Sequence, residues 1–403
     1  MSKQYLILLC VFKGAVLARE EKLNMAKKLI YVWLFTMTIV LFSSISVYAE
    51  DGVQGDFFIK NVVINGERIE NYNLQYSIIL YNDTMYIPLV REMREIYGVE
   101  MEMDWESHTL KLLKVEPARK NISENWLKND AHPLFLNVIP DAKVFAYAQE
   151  TNTENEDADE TTGEAADEAN ETADEATGEI GIPELRVEEI DLNGMPLLVK
   201  DRHIYIPLRA VAGNELFNWD IHFDNYYGVC ISTDSSIPAI TYFNEKEALE
   251  NKGLVHYIMH YNPRLTLSYA QQLVFLFKRA GEVYEISPKL LMAIAHREST
   301  FNNGSIGRGG SAGLMQVMPG TGARYGLTQQ QLLDPKISID FGAMYMSERL
   351  AAFDGDVILA LSAYNQGSTT VNRGRHSTTY ANRIIATYYG VHNFLEMNGY
   401  IIE

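Results

Sequence analysis

The chain is poor in cysteine: 403 residues contain two, Cys10 and Cys230. Cys10 falls in a segment read below as a leader. That leaves Cys230 alone and excludes an intrachain disulfide. A protein built this way is stabilised by its cores. Cys230 sits in an alternating strand pattern and reads as a small buried hydrophobe rather than a nucleophile. Positive charge is also scarce. Lys and Arg number 34 against 53 Asp and Glu, a formal charge of −19, which argues against nucleic acid as a partner. The deficit is local: residues 150–179 hold 13 acids and no Lys or Arg, so the remainder carries only −6. Metal motifs are missing as well. His256 and His260 are four apart, but no Glu of the HExxH kind lies between them and no third ligand is evident. Ordinary helix-face residues are expected there, and no metal or cofactor.

A hydrophobic fraction of 47% is ordinary for globular protein, and the length allows two or three domains. Lys27 and Lys28 precede an apolar run, Leu29 to Ile45, and Val47-Tyr48-Ala49 supplies small residues for cleavage after Ala49. Residues 1–49 therefore read as leader and signal peptide, with the natural start at Met25. An exported, extracellular or wall-associated protein is expected, or a membrane-anchored one if the signal stays uncleaved.

From Phe57 the pattern is short strands and turns. Val62 to Ile64 leads into Asn65-Gly66; Ile78 to Tyr81, Asn82-Asp83 and Met85 to Pro88 form a second hairpin signal. A short helix, Leu89 to Tyr97, is closed by Gly98, and Val99 to Trp105 and Thr109 to Leu113 follow as strands. The same order recurs from Ile190: Asn193-Gly194, then Tyr205-Ile206-Pro207-Leu208-Arg209 matching Tyr86-Ile87-Pro88-Leu89, then strands at Trp219 to Phe223 and Tyr227 to Ile231. Pro133 to Ala148 adds apolar stretches to the same sheet system. The second copy has Trp219-Asp220 where the first has Asp104-Trp105. This series resembles the copper amine oxidase N-terminal-like domain over 57–235, a module of exported bacterial proteins, and the resemblance implies no copper. The acidic stretch, 149–180, lacks aromatics and reads as a disordered, solvated insertion.

After Ser235 the periodicity turns helical. Asn244 to His260 lies in a helical connector, 236–264, and Thr266 to Ala280 opens an all-α unit, 265–403. Within it, Ser287 is placed as an N-cap and Pro288 as the first residue of a helix whose Leu291, Ile294 and Glu298 share one face. An acid on an apolar face is costly to ionise, which suits a general acid. A helix-end glutamate turned to solvent fits this helix equally well.

Four stretches then act together: Glu298-Ser299, Gly313-Leu314-Met315-Gln316, Ala363-Tyr364-Asn365, and Tyr380. In this order and spacing they resemble the catalytic domain of the soluble lytic transglycosylases, relatives of goose-type lysozyme. Ser311-Ala312, Met318-Pro319 and Asp334-Pro335 fit the same pattern. Asn302-Asn303-Gly304 departs from the usual Asn-Pro, and Gln366 replaces the usual small residue. The fold class implied is a β-rich (α+β) repeat domain followed by an all-α, lysozyme-like catalytic domain. The resemblance implies Glu298 as the single catalytic acid and base. It implies Ser299, Gln316, Tyr364, Asn365 and Tyr380 along a saccharide groove, and Met315 against the glycan. The partner implied is a peptidoglycan glycan strand, with room for a wall or protein partner of the repeat domain. Two-carboxylate glycosidases pair two acids; here Asp334, Asp340, Glu348, Asp354 and Asp356 read as caps or surface charge. That favours an intramolecular closure to a 1,6-anhydromuramoyl end. A hydrolytic muramidase and a non-catalytic wall-binding protein are the alternatives.

Overall fold

The structure is a computed structural model that describes residues 52–71, 74–119, 134–149 and 185–401. The expected leader, 1–49, and the acidic insertion beyond Gln149 lie outside the described residues. A β-rich N-terminal region is followed by a helical C-terminal region. Among the described residues no helix is long and apolar enough to cross a membrane.

Among the described residues the β-rich region holds fourteen strands: β1 Val53–Phe57, β2 Asn61–Ile64, β3 Glu67–Ile69, β4 Ile79–Tyr81, β5 Thr84–Pro88, β6 Val99–Asp104, β7 Thr109–Lys114, β8 Leu134–Ile139, β9 Lys143–Gln149, β10 Leu185–Glu189, β11 Leu197–Lys200, β12 His203–Pro207, β13 Asp220–Asp224 and β14 Gly228–Ser232. Helices α1 (Arg91–Tyr97) and α2 (Leu208–Ala212) follow β5 and β12. Six strands close a barrel in the order β1-β4-β5-β12-β11-β8. The two Tyr-Ile-Pro copies pair with each other at its centre, Ile206 opposite Ile87. Two sheets flank the barrel, β10-β9-β7-β6 and β13-β14-β2-β3. Each joins the closing strand pair of one copy to a hairpin of the other through a parallel pairing, β7 with β9 and β14 with β2. The copies are therefore exchanged across a two-fold pattern rather than set side by side.

This arrangement corrects three expectations. The region begins at Val53, ahead of Phe57. Asn193-Gly194 has the positive φ values of a tight turn, but it joins strands of different sheets: β10 pairs with β9, and β11 pairs with β12 and β8. The counterpart of the Asn65-Gly66 hairpin is β9–β10, where Gln149 faces Leu185 and the acidic insertion intervenes. The aspartate-containing turns also shift register. Asp104 accepts the N–H of Glu106 at 2.9 Å, and Asp224 does the same for Tyr226 at 2.7 Å, so these two aspartates are equivalent. Trp219 is buried against Tyr97 and Phe217, whereas Trp105 is exposed.

The helical region comprises α3 Glu245–Tyr261, α4 Leu267–Val283, α5 Pro288–Ser299, α6 Pro319–Ala323, α7 Pro335–Ala352, α8 Val357–Gln366, α9 Ser368–Asn372 and α10 Thr379–Met397. Leu254, Val255, Tyr257 and Ile258 of α3 belong to the same core as α4, α5 and α7. The expected connector is thus part of the helical body. Cys230 is fully buried in a small cluster with Val63, Tyr227 and Ala248, where burial pushes its thiol up to about 11. The joint between regions is polar. Glu247 accepts from Asn61 Nδ2 at 3.0 Å and pairs with Lys278, whose Nζ also donates to Asn251 Oδ1 at 3.0 Å. Burial pushes Glu247 up, but Lys278, the hydrogen bonds and Arg68 outweigh it and hold the carboxyl below its usual range.

Candidate active site

Pro288 opens α5 at its first position, as its fixed φ favours, but the Ser287 side chain makes no capping bond there. Leu291 and Ile294 are fully buried, and Glu298, one turn on, is half-buried. The helix stops at Thr300, in the left-handed region at φ 51°, whose N–H still reaches the His296 carbonyl. Phe301 repeats that φ at 58° and fills the core.

One tyrosine bonds the acid and a second lies within reach of its charge. Tyr380, near the start of α10, donates its hydroxyl to Glu298 Oε1 at 2.6 Å. Tyr364, on α8, donates to the Met315 carbonyl at 3.0 Å and lies close enough to Glu298 for the carboxylate charge to raise its pKa. Burial, and then the Glu298 charge, hold both phenols well above 10, so both stay neutral. Burial raises the Glu298 pKa as well, against a smaller downward pull from the Tyr380 bond. The acid therefore keeps its proton to higher pH than an exposed glutamate. The side chain is thus not simply turned to solvent.

The loop after α5 is a built support rather than a free wall. Gly313 sits at φ +79°, and a Cβ there would meet the Leu332 carbonyl and come within 2.6 Å of Ser338 Oγ. Gln316 is left-handed at φ 47°. Its amide holds the turn closed, donating to the Ser305 and Gly313 carbonyls, both at 2.9 Å, and accepting from Ser311 Oγ at 2.7 Å. Ser299 Oγ lies 2.9 Å from the Leu314 carbonyl and 3.0 Å from the Ala295 carbonyl, pinning the loop to α5. Met315 corrects the expectation of a glycan contact. Its side chain is fully buried against Gly342, because α7 leaves a gap there that a Cβ would fill. Asn365 is exposed at the end of α8. Ser338 was not singled out by the sequence; its fully buried hydroxyl accepts the Met315 N–H at 3.1 Å. A lone serine between Ile337 and Ile339 carries no local signal for that role.

Four nearby acids have structural tasks and a fifth is exposed. Asp334 and Asp356 cap α7 and α8, accepting from Ile337 N at 3.0 Å and Leu359 N at 2.9 Å. Asp340 pairs with Arg279 at 2.8 Å and Glu348 with Arg349 at 2.9 Å. Asp354 occupies an exposed turn at φ 51°. Among the described residues no group of three or more His, Cys, Asp or Glu is placed to hold a metal. His256 hydrogen-bonds Tyr400, and His260 packs on Tyr261 and Phe394.

The family described as Transglycosylase SLT domain matches residues 275–385. A "Transglycosylase" of Enterobacteria phage PRD1 is 33% identical over 106 residues, which cover 26% of this chain and 39% of that protein. The "Soluble lytic murein transglycosylase" of Escherichia coli strain K12 is 35% identical over 116 residues, covering 27% of this chain and 17% of the relative. The chain thus spans well under half the length of these curated relatives. The solved 70 kDa soluble lytic transglycosylase of Escherichia coli aligns at 26% identity over 40% of this chain and 34% of that one, with a TM-score of 0.26.

Proposed function

We propose that the helical region is a peptidoglycan lytic transglycosylase that cleaves the β-1,4 bond between N-acetylmuramic acid and N-acetylglucosamine. The observation that carries this reading is the half-buried Glu298 carboxyl, bonded to Tyr380, with Asp334, Asp356, Asp340 and Glu348 committed to caps and ion pairs. Protonated Glu298 donates to the glycosidic oxygen as the C1–O bond breaks. The developing oxocarbenium is stabilised by the sugar's own acetamido group. The Glu298 carboxylate then takes the proton of the muramoyl C6 hydroxyl, whose oxygen closes on C1. The proton returns to the enzyme, the product ends in 1,6-anhydromuramic acid, and no water is consumed. A single acid that both gives and recovers a proton suffices for this closure, whereas canonical hydrolytic glycosidases pair two carboxylates.

Within this reading Tyr380 orients the carboxyl, and Asn365 is the amide free to bond acetamido and hydroxyl groups. Ser299, Gln316 and Met315 act by shaping the loop. The β-rich region is read as a copper amine oxidase N-terminal-like repeat that engages the wall, and the chain as exported. Digesting purified wall with the protein and weighing the muropeptides tests the chemistry. Fragments one water lighter than their reducing counterparts are expected. Reducing ends alone would establish a muramidase instead. Equal, negligible clearing by wild type and Glu298→Gln, with equal binding, would leave a wall-binding protein.

A further inference from the structure

The α7 helix meets Met315 of the active-site loop twice. Gly342 receives its side chain and Ser338, one turn earlier on the same face, accepts its N–H at 3.1 Å. Ser338 is fully buried, so water does not compete for that bond. On its other side Met315 presents the carbonyl that takes the Tyr364 hydroxyl proton at 3.0 Å. The next residue, Gln316, is left-handed, a conformation that persists only where its surroundings enforce it. A tyrosine hydroxyl has one proton to give. While it goes to Met315 it is withheld from Glu298, whose carboxyl is bonded by Tyr380 alone among the described residues.

We propose that Ser338 is a positioning residue for proton transfer: by pinning Met315 it keeps the Tyr364 proton on the Met315 carbonyl and away from Glu298. This rests on Glu298 being the catalytic acid. Without the Ser338 bond the Met315 carbonyl is free to swing, and Tyr364 turns its proton to the carboxylate. A bond donated to the ionised form favours that form and lowers the fraction of acid ready to donate. The groups facing Glu298 are few. Tyr380 comes from α10 and Tyr364 from α8; Tyr345 of α7 stands edge-on behind Tyr364, 5.5 Å between ring centres. On its own helix His296 turns away to Tyr257, bonded at 2.7 Å, and Arg297 is exposed.

The test measures kcat and KM of the full chain on a defined soluble glycan-peptide between pH 4 and 9, with products weighed. Ser338→Ala is expected to lower kcat about tenfold at neutral pH, leave KM within about twofold, and move the alkaline limb of kcat down by about one unit, since one unit is tenfold in protonated acid. Ser338→Thr, which keeps the hydroxyl, restores the limb. Made on a Tyr364→Phe background, Ser338→Ala shifts the limb no further. Should Ser338→Ala fail to fold, Ser338→Cys gives the same reading, because a thiol of nearly the same size is a weak acceptor. An unmoved limb in a folded variant overturns the proposal, as does a shift that persists undiminished without the Tyr364 hydroxyl. Both outcomes leave cleavage by wild type intact, whereas absence of anhydro product from wild type overturns the transglycosylase reading itself.

Discussion

Tyr97 and Tyr205 of the β-rich region are buried, Tyr364 and Tyr380 of the helical region partly so, and desolvation pushes all four phenols far above their usual range. Only the second pair is bonded. Among the described residues the hydroxyls of Tyr97 and Tyr205 have no hydrogen-bond partner, whereas those of Tyr364 and Tyr380 meet the Met315 carbonyl and the Glu298 carboxyl. Burial perturbs a titratable group wherever it occurs. Chemistry needs a neighbour that can change its own charge, and under the proposed function that neighbour is Glu298. A shifted group is therefore a weak pointer to a site until its partner is known.

The strongest test of that distinction removes the acid. Glu298→Gln keeps the shape and the Tyr380 contact but cannot donate, so turnover should fall by about 10²–10⁴-fold, the usual worth of a general acid. The same change should stabilise the fold, with a sign set by pH. The unfolded glutamate titrates near 4.3 and the folded one higher, so the wild-type penalty is absent below the unfolded value. It grows as pH rises through the folded value and is complete above it. Thermal melts should show little difference at pH 4 and a higher Tm for Glu298→Gln at pH 8. An unchanged gap between the two pH values would mean the carboxyl is effectively solvated.

A structural acid at the joint should behave in the opposite way. Glu247 is held low by Lys278, the Asn61 amide and the Arg68 charge, so Glu247→Ala strands a largely buried cation. We expect a loss of about 2–3 kcal/mol in denaturant unfolding, below the 3–5 of a fully enclosed pair, with the pH profile of cleavage unchanged. A shifted profile would couple the joint to the site.

Much of this contrast was readable beforehand, and the unread part has physical reasons. The Asn65-Gly66 and Asn82-Asp83 turns are legible because both central positions take positive φ, which few residues tolerate. Asn193-Gly194 carries the same chemistry, yet a turn does not state which strands it joins. The parallel pairing of β14 with β2 brings Ile231 opposite Ile64 with no local mark in either strand. Glu298 could be placed on a buried face because helical spacing fixes which residues share it. Met315 could not, since an apolar residue suits a core and a sugar equally and only the Gly342 gap decides. Ser299 and Gln316 were legible as polar site residues, but their partners are backbone carbonyls, which every residue supplies.

The orphan phenols give a smaller effect of reversed sign. Tyr205→Phe removes a buried hydroxyl that satisfies nothing, so stability should rise by up to about 1 kcal/mol with cleavage unaffected. Tyr364→Phe leaves the Met315 carbonyl without its donor and should cost about 1–2 kcal/mol. Equal losses from both would show that the Tyr205 hydroxyl has found a bond in solution.

The smallest effect is expected at the rim of the joint. Arg68 on β3 reaches Glu282 on α4 at 3.2 Å, but both side chains are more than a third exposed. Exposed pairs contribute little and are screened by salt, so Arg68→Ala should cost under about 1 kcal/mol, and the difference should shrink further in high salt. Arg68 also approaches Glu247, at 3.9 Å, which gives the measurement its use. If Arg68→Ala were to cost as much as Glu247→Ala, and did so regardless of salt, the β2–β3 hairpin rather than Lys278 would be what neutralises Glu247. The two regions would then be clamped from the β side. A small, salt-sensitive loss leaves Glu247 and Lys278 as the clamp, within the helical body, with the hairpin resting on it.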